Sequence, residues 1–336
     1  MELSRRHAIT GVALALAGCS EVRSDVESRA DGVLAGGEHP LAGVTTIAVV
    51  DESESDHDLE ALTDDAAAYW SEHAAEYADV DVSFRLSEEG TADVEIVFLD
   101  SRTELEGCRE HSSAEILGCA PLLTAEHRPE RPITVEVVAA DRPPGDVRIT
   151  IQHELGHTLG LDHDDEPAHI MSNDIEDRLP EYERRGEILE SFENAWVGRN
   201  AGTREYNRGI NRWNDGEYGT AVSIFESAAD RYRTAGASIE TAVELERGFD
   251  GMRRPETVDR DRLRSAFESA REWIDLAAER ADRMAASAEA RDDGDASTAR
   301  ERHEAADDAL SELRAIEFPA PVDVAGALGL LRDGRR

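Results

Sequence analysis

Thr45 to Val50 is an unbroken run of β-branched and apolar residues, the pattern of a buried strand. From Leu59 to Ala78 the period changes. Leu59, Leu62, Ala66, Tyr69, Trp70, His73 and Tyr77 recur at helical spacing, and acidic residues fill the opposite face. Strand patterning returns at Val80–Leu86, which alternates strictly, and at Val94–Leu99, which is more fully apolar. Ile116–Leu123 predicts a short edge strand, irregular because Pro121 lacks an N–H for the ladder. Ile133–Val138 alternates again. Pro143-Pro144-Gly145-Asp146 then breaks the chain, and Asp146 is expected to cap a helix running through Leu159. Gly160 stands where the end of that helix wants a left-handed residue. The order predicts an α+β domain, a mixed five-stranded sheet with long helices, whose site lies at the end of the last helix.

Beyond about Glu183 the apolar positions repeat only at helical spacing, in a stretch rich in Ala, Glu and Arg. Tyr206–Tyr232 reads as two helices around Asn214-Asp215-Gly216. Gly209, Ala221, Phe225 and Ala228 fit tetratricopeptide spacing, but Glu205 and Arg212 occupy its usual Trp and Tyr positions. A weaker echo falls at Gly294, Ala299 and Ala306. Solenoids need about three repeats, and three cannot be found, so a small helical bundle is favoured over a repeat array. Leu263, Phe267, Ala270, Ile274, Ala277 and Ala281 form one apolar face, read as core. The second half is therefore an all-α accessory domain, a bundle or a degenerate tetratricopeptide-like fold. It is expected to fold independently of the first.

Charge narrows the partners. Seventy-four acidic residues oppose 36 basic ones, every one of them arginine, for a net −38. Such a field repels nucleic acid and anionic membrane surfaces. The acid is spread evenly rather than run in blocks, and with arginine replacing lysine throughout it resembles the proteins of extreme halophiles. In their salt, repulsion is screened within about 3 Å at 1 M.

The N-terminus reads as an address. Arg5-Arg6 precede the apolar run Ala8–Gly18, too short to span a bilayer and similar to a twin-arginine export signal. The run ends Leu16-Ala17-Gly18-Cys19, which resembles a lipobox, and Cys19 would then carry the lipid. The expected product is an exported lipoprotein at the cell surface, anchored to the outer face of the cytoplasmic membrane through that lipid alone. Residues 20–44 read as a flexible acidic tether. Two cysteines remain, Cys108 and Cys119; outside the membrane an even pair reads as a disulfide, with two buried thiols as the alternative.

The chemistry lies in His153-Glu154-Leu155-Gly156-His157-Thr158-Leu159-Gly160-Leu161-Asp162-His163. Positions four apart share a helix face, so His153 and His157 can offer imidazoles to one metal ion. Gly160 lets the chain turn, and His163 returns as a third ligand. Three protein ligands leave a fourth zinc position open, as a catalytic site requires. Glu154 projects beside them, within reach of a metal-bound water.

This string matches the metzincin pattern H-E-x-x-H-x-x-G-x-x-H without departure. His169-Ile170-Met171 follows at a distance suited to the Met-turn of that family. The strand and helix order also resembles a short matrixin-like catalytic domain. The resemblance covers residues 45–180, between the signal peptide (1–19) with its tether and the helical domain (181–336). It implies one catalytic Zn2+ and hydrolysis of peptide bonds by a zinc-bound water that Glu154 activates. It also implies a protein or peptide substrate extended along the edge strand. A structural Ca2+ is compatible with the composition but has no readable motif. Astacin- and serralysin-like members carry tyrosine two residues after the methionine, where Asn173 stands here. His169 reads as a supporting or surface histidine, with a fourth or alternative ligand as the other reading, and Asp164 as either a brace of the site or one more acid of a surface loop. Two other functions compete: a non-catalytic, zinc-stabilised scaffold whose helical half binds a protein partner, and a zinc amidase acting on cell-envelope material.

Overall fold

The computed structural model describes residues 38–87, 92–108 and 116–330. The residues read as a signal sequence, Cys19 among them, and those read as a tether up to residue 37 lie outside the described residues. Of the tether expected over 20–44, residues 38–44 belong instead to the fold, with Leu41 fully buried and the first strand starting at Gly43. His39 and the chain beyond it form one compact unit. Among the described residues no helix is long and apolar enough to cross a membrane.

Five strands form one sheet: β1 (Gly43–Asp51), β2 (Val82–Leu86), β3 (Val94–Leu99), β4 (Gly118–Cys119) and β5 (Ile133–Val138). Their order is β2-β1-β3-β5-β4. All pairs are parallel except β4 with β5, so the sheet is mixed and its antiparallel member lies on an edge. Alternation sorts the side chains between the two faces. Val94, Ile96 and Phe98 face the main core, whereas Val97 and Leu99 belong to a small cluster with Leu105, Cys119 and Val138.

Two helices supply much of the rest of the main core, α1 (Leu59–Tyr77) and α2 (Pro144–Thr158), and loop residues such as Leu41, Leu123 and Leu161 add to it. Asp58 caps α1 by accepting from the Ala61 N–H. Fully buried Trp70 on α1 donates its indole N–H to the Gln152 carbonyl of α2 at 2.7 Å, fixing one helix against the other. The start of α2 differs from the expected cap. The helix begins three residues earlier than an Asp146 cap implies, at Pro144, whose missing N–H and fixed φ suit a first turn. Asp146 lies inside that turn, where it meets Arg142 in a buried ion pair at 2.7 Å. The edge strand is also shorter than expected. Only Gly118 and Cys119 join the ladder, and the chain beyond them leaves the sheet.

Two short helices follow, α3 (Ala168–Met171) and α4 (Ile175–Arg178), and then the helical region. Its elements are α5 (Tyr182–Asn214), α6 (Tyr218–Arg247), α7 (Arg260–Asp292), α8 (Ala296–Leu313) and α9 (Pro321–Ala327). The four long helices each pack chiefly on the next in sequence, and α9 returns onto α5 and α7. They share a core separate from the sheet's, in which the face Leu263, Phe267, Ala270, Ile274, Ala277 and Ala281 is buried throughout.

Candidate metal centre

Helix α2 carries His153, Glu154 and His157 on consecutive turns, and the chain reverses immediately after it. Gly160 has φ +91°, the left-handed conformation that lets the backbone turn back without strain. A Cβ at Gly160 would also lie 2.7 Å from the Leu123 carbonyl oxygen, so the turn admits no side chain. The reversal returns His163 to the two helical histidines. Their ring centroids lie 4.6 Å apart for His153 and His157, 5.2 Å for His153 and His163, and 4.8 Å for His157 and His163. One ring nitrogen from each falls within 4.8 Å of the others.

Hydrogen bonds settle which nitrogens face inward. His153 Nδ1 lies 2.7 Å from the Ile170 carbonyl oxygen, and His157 Nδ1 lies 2.8 Å from that of Leu161. A carbonyl only accepts, so each Nδ1 carries the proton and each Nε2 presents a lone pair. Those two Nε2 atoms approach to 3.0 Å. Two bare lone pairs at that distance repel, and a cation between them removes the conflict. The donor set therefore fits zinc: three neutral imidazoles, each free to give one lone pair. Burial supports the neutral forms. It holds His153 well below the ordinary histidine range, lowers His157, and takes His163 to about 4.

Met171 ends α3 beneath this centre. It is fully buried, and its sulfur lies so close to Gly156 that a side chain there would overlap it. Glu154 is only 5% exposed. Burial raises its carboxyl to about 8, with the Arg178 cation acting in the opposite sense. The carboxylate rests on edge strand β4, where a Cβ at Gly118 would lie 2.5 Å from Oε1. His169 stays out of the histidine group, with its ring 6.4 Å from that of Tyr69. Asp164 and Asn173 are exposed.

The structure thus brings His153, His157 and His163 together, with Gly160 at the turn that precedes His163, Met171 packed against Gly156 of α2, and Glu154 against Gly118. It also joins Cys108 to Cys119 by a disulfide. Three contributors escaped the sequence. Gly118 and Gly156 are close-approach glycines, and only their distances to Glu154 and Met171 reveal them. Arg178 is a cation felt by all three histidines and by Glu154. It is one arginine among 36, and no local pattern marks it.

A mixed five-stranded sheet thus presents, at the C-terminal end of α2, a three-histidine group that could hold a metal ion. The family model described as matrixin matches residues 44–184 of the chain. Together the match and the histidine cluster support a zinc metallopeptidase. No curated protein matches the chain.

Proposed function

We propose that the protein is an exported, membrane-anchored zinc endopeptidase that hydrolyses peptide bonds with Glu154 as its proton carrier. The observation that carries this reading is the convergence of three imidazoles, with a buried carboxyl, Glu154, on the helix that bears two of them. A site kept only for structure has no use for Glu154. Zinc, when held by His153, His157 and His163, supplies the Lewis acidity that polarises a carbonyl and eases deprotonation of water. Glu154 takes the proton of the attacking water and gives it to the leaving amine. Burial moves its carboxyl toward neutrality, the range in which one group can both accept and return a proton. The substrate runs extended along β4, whose outer side lies at the sheet edge.

The test is hydrolysis of a denatured protein mixture by the purified mature chain in high salt, with and without chelator. Glu154→Gln should keep about one zinc by mass spectrometry yet lose at least roughly 100-fold in turnover, whereas His157→Ala loses both. Undiminished turnover in Glu154→Gln would sink the mechanism. Cleavage of envelope amides in preference to protein would turn the reading toward an amidase.

Export and anchoring rest on Arg5-Arg6 and Leu16-Ala17-Gly18-Cys19. Cys19→Ser should release the mature protein into the medium or leave it unprocessed. Wild-type protein recovered wholly from the cytoplasm would count against both.

A further inference from the structure

The loop between α6 and α7 belongs by sequence to the helical half, yet its side chains reach the supports of the metal centre. Arg254 donates from Nη1 to the His169 carbonyl oxygen at 3.3 Å. The next carbonyl along, that of Ile170, is the one that takes the Nδ1 proton of His153. Two residues after Arg254, Glu256 pairs with Arg148 on α2. Its backbone also lies against the first turn of that helix, where a Cβ at Gly145 would be 2.6 Å from the Glu256 oxygen. One loop therefore holds both segments between which His153 is fixed, the helix that bears it and the carbonyl that orients it.

The loop is itself held firmly. Arg185 on α5 is fully buried. It donates to the carbonyl oxygens of Thr257 at 2.8 Å and Leu328 at 2.6 Å, to the Thr257 hydroxyl at 2.6 Å, and to the Pro180 carbonyl oxygen at 2.9 Å. Arg254 has φ +56°, a left-handed conformation that a non-glycine residue keeps only where its surroundings impose it.

We propose that Arg254 and Glu256 are positioning residues of the three-histidine centre, through which the helical half sets the geometry of His153. The proposal rests on the reading that these histidines hold zinc. Neither residue needs to approach the metal. Arg254 acts through the His169–Ile170 backbone, and Glu256 acts through α2. Partners one step behind a metal ligand typically change metal affinity about 10- to 100-fold when removed. Arg254 stands one peptide further back, so the lower end applies.

The experiment uses the full-length chain and zinc itself, titrated against a chromophoric chelator, with Co2+ absorption as a report on ligand geometry. Arg254→Ala should bind zinc about tenfold more weakly and shift the Co2+ bands, while its melting temperature in excess chelator stays near wild type. Arg254→Lys, which restores a cationic donor, should recover most of the affinity. If Arg254→Ala does not fold, Glu256→Gln serves instead, being of equal size and expected to weaken zinc in the same direction. Wild-type affinity in every soluble variant overturns the proposal while leaving the zinc site in place. A wild-type chain that binds no zinc would remove the reading beneath it as well.

Discussion

At Gly118 an added methyl would lie 2.5 Å from the Glu154 carboxylate, well inside van der Waals contact. The neighbour that must move is Glu154, the proposed proton carrier, so the effect of Gly118→Ala should fall on chemistry rather than on metal. Overpacking a closed site typically costs 1–3 kcal/mol, and about 1.4 kcal/mol corresponds to tenfold in rate. Gly118→Ala should therefore lower kcat about tenfold while zinc per chain is unchanged. Steady-state kinetics beside metal analysis checks this, and an unaltered kcat would show that β4 does not hold Glu154. The same residue marks the boundary of what the sequence makes legible. His153, Glu154, His157 and His163 fall within eleven consecutive positions, so helix geometry and one turn suffice to assemble them. Gly118, Arg178 and Arg254 reach the site only through the topology of the chain, and no local spacing announces them.

At the scale of elements the same division holds. The strands at 94–99 and 133–138 and the helix from Leu59 were legible because a buried face imposes a period on its residues. The edge strand was legible only as a region. With two residues in the ladder it has little period, and its short pairing is stiffened from outside. The disulfide to Cys108 ties β4 to the preceding loop, whose Glu106 and Gly107 N–H groups donate to the carboxylate of Glu136 on β5. Closing so short a loop contributes about 2–3 kcal/mol in the chain-entropy view. The double variant Cys108→Ser with Cys119→Ser should lose stability of that order by denaturant unfolding. It should also lose turnover, because Gly118 precedes Cys119 and rests on Glu154. A variant as stable and as active as wild type would make the bridge incidental. The α2 start was misplaced for a related reason. Asp146 has the chemistry of a cap, but Arg142 four residues earlier engages it as a buried ion pair.

For the whole molecule, the division into a sheet half and a helical half was readable from the change of period near Glu183, and each half has its own core. What the pattern could not show is the junction, because it rests on single polar side chains such as Arg254 and Glu256. Charge acts at this scale too, and it supports a further proposal, that the protein is built for molar salt. The net −38 sets two opposed effects against each other. Exposed pairs such as Arg233 with Asp230 and Asp282, or Arg271 with Glu240, stabilise the fold and weaken as salt rises. Each is worth about 0–1 kcal/mol. The uncompensated acids repel across the whole surface, and that repulsion is relieved by the same screening. With 74 acidic residues against 36 basic ones, every arginine can be paired and half the acids still lack a partner, so repulsion dominates. The melting temperature should therefore rise with KCl. Most of the rise should come below about 1 M, where the screening length shortens from roughly 10 Å to 3 Å. A rise that continues evenly to several molar would instead reflect salt exclusion from the surface. A melting temperature that falls with added KCl would show that ion pairs carry the surface, and the reading of the composition as an adaptation to salt would fail.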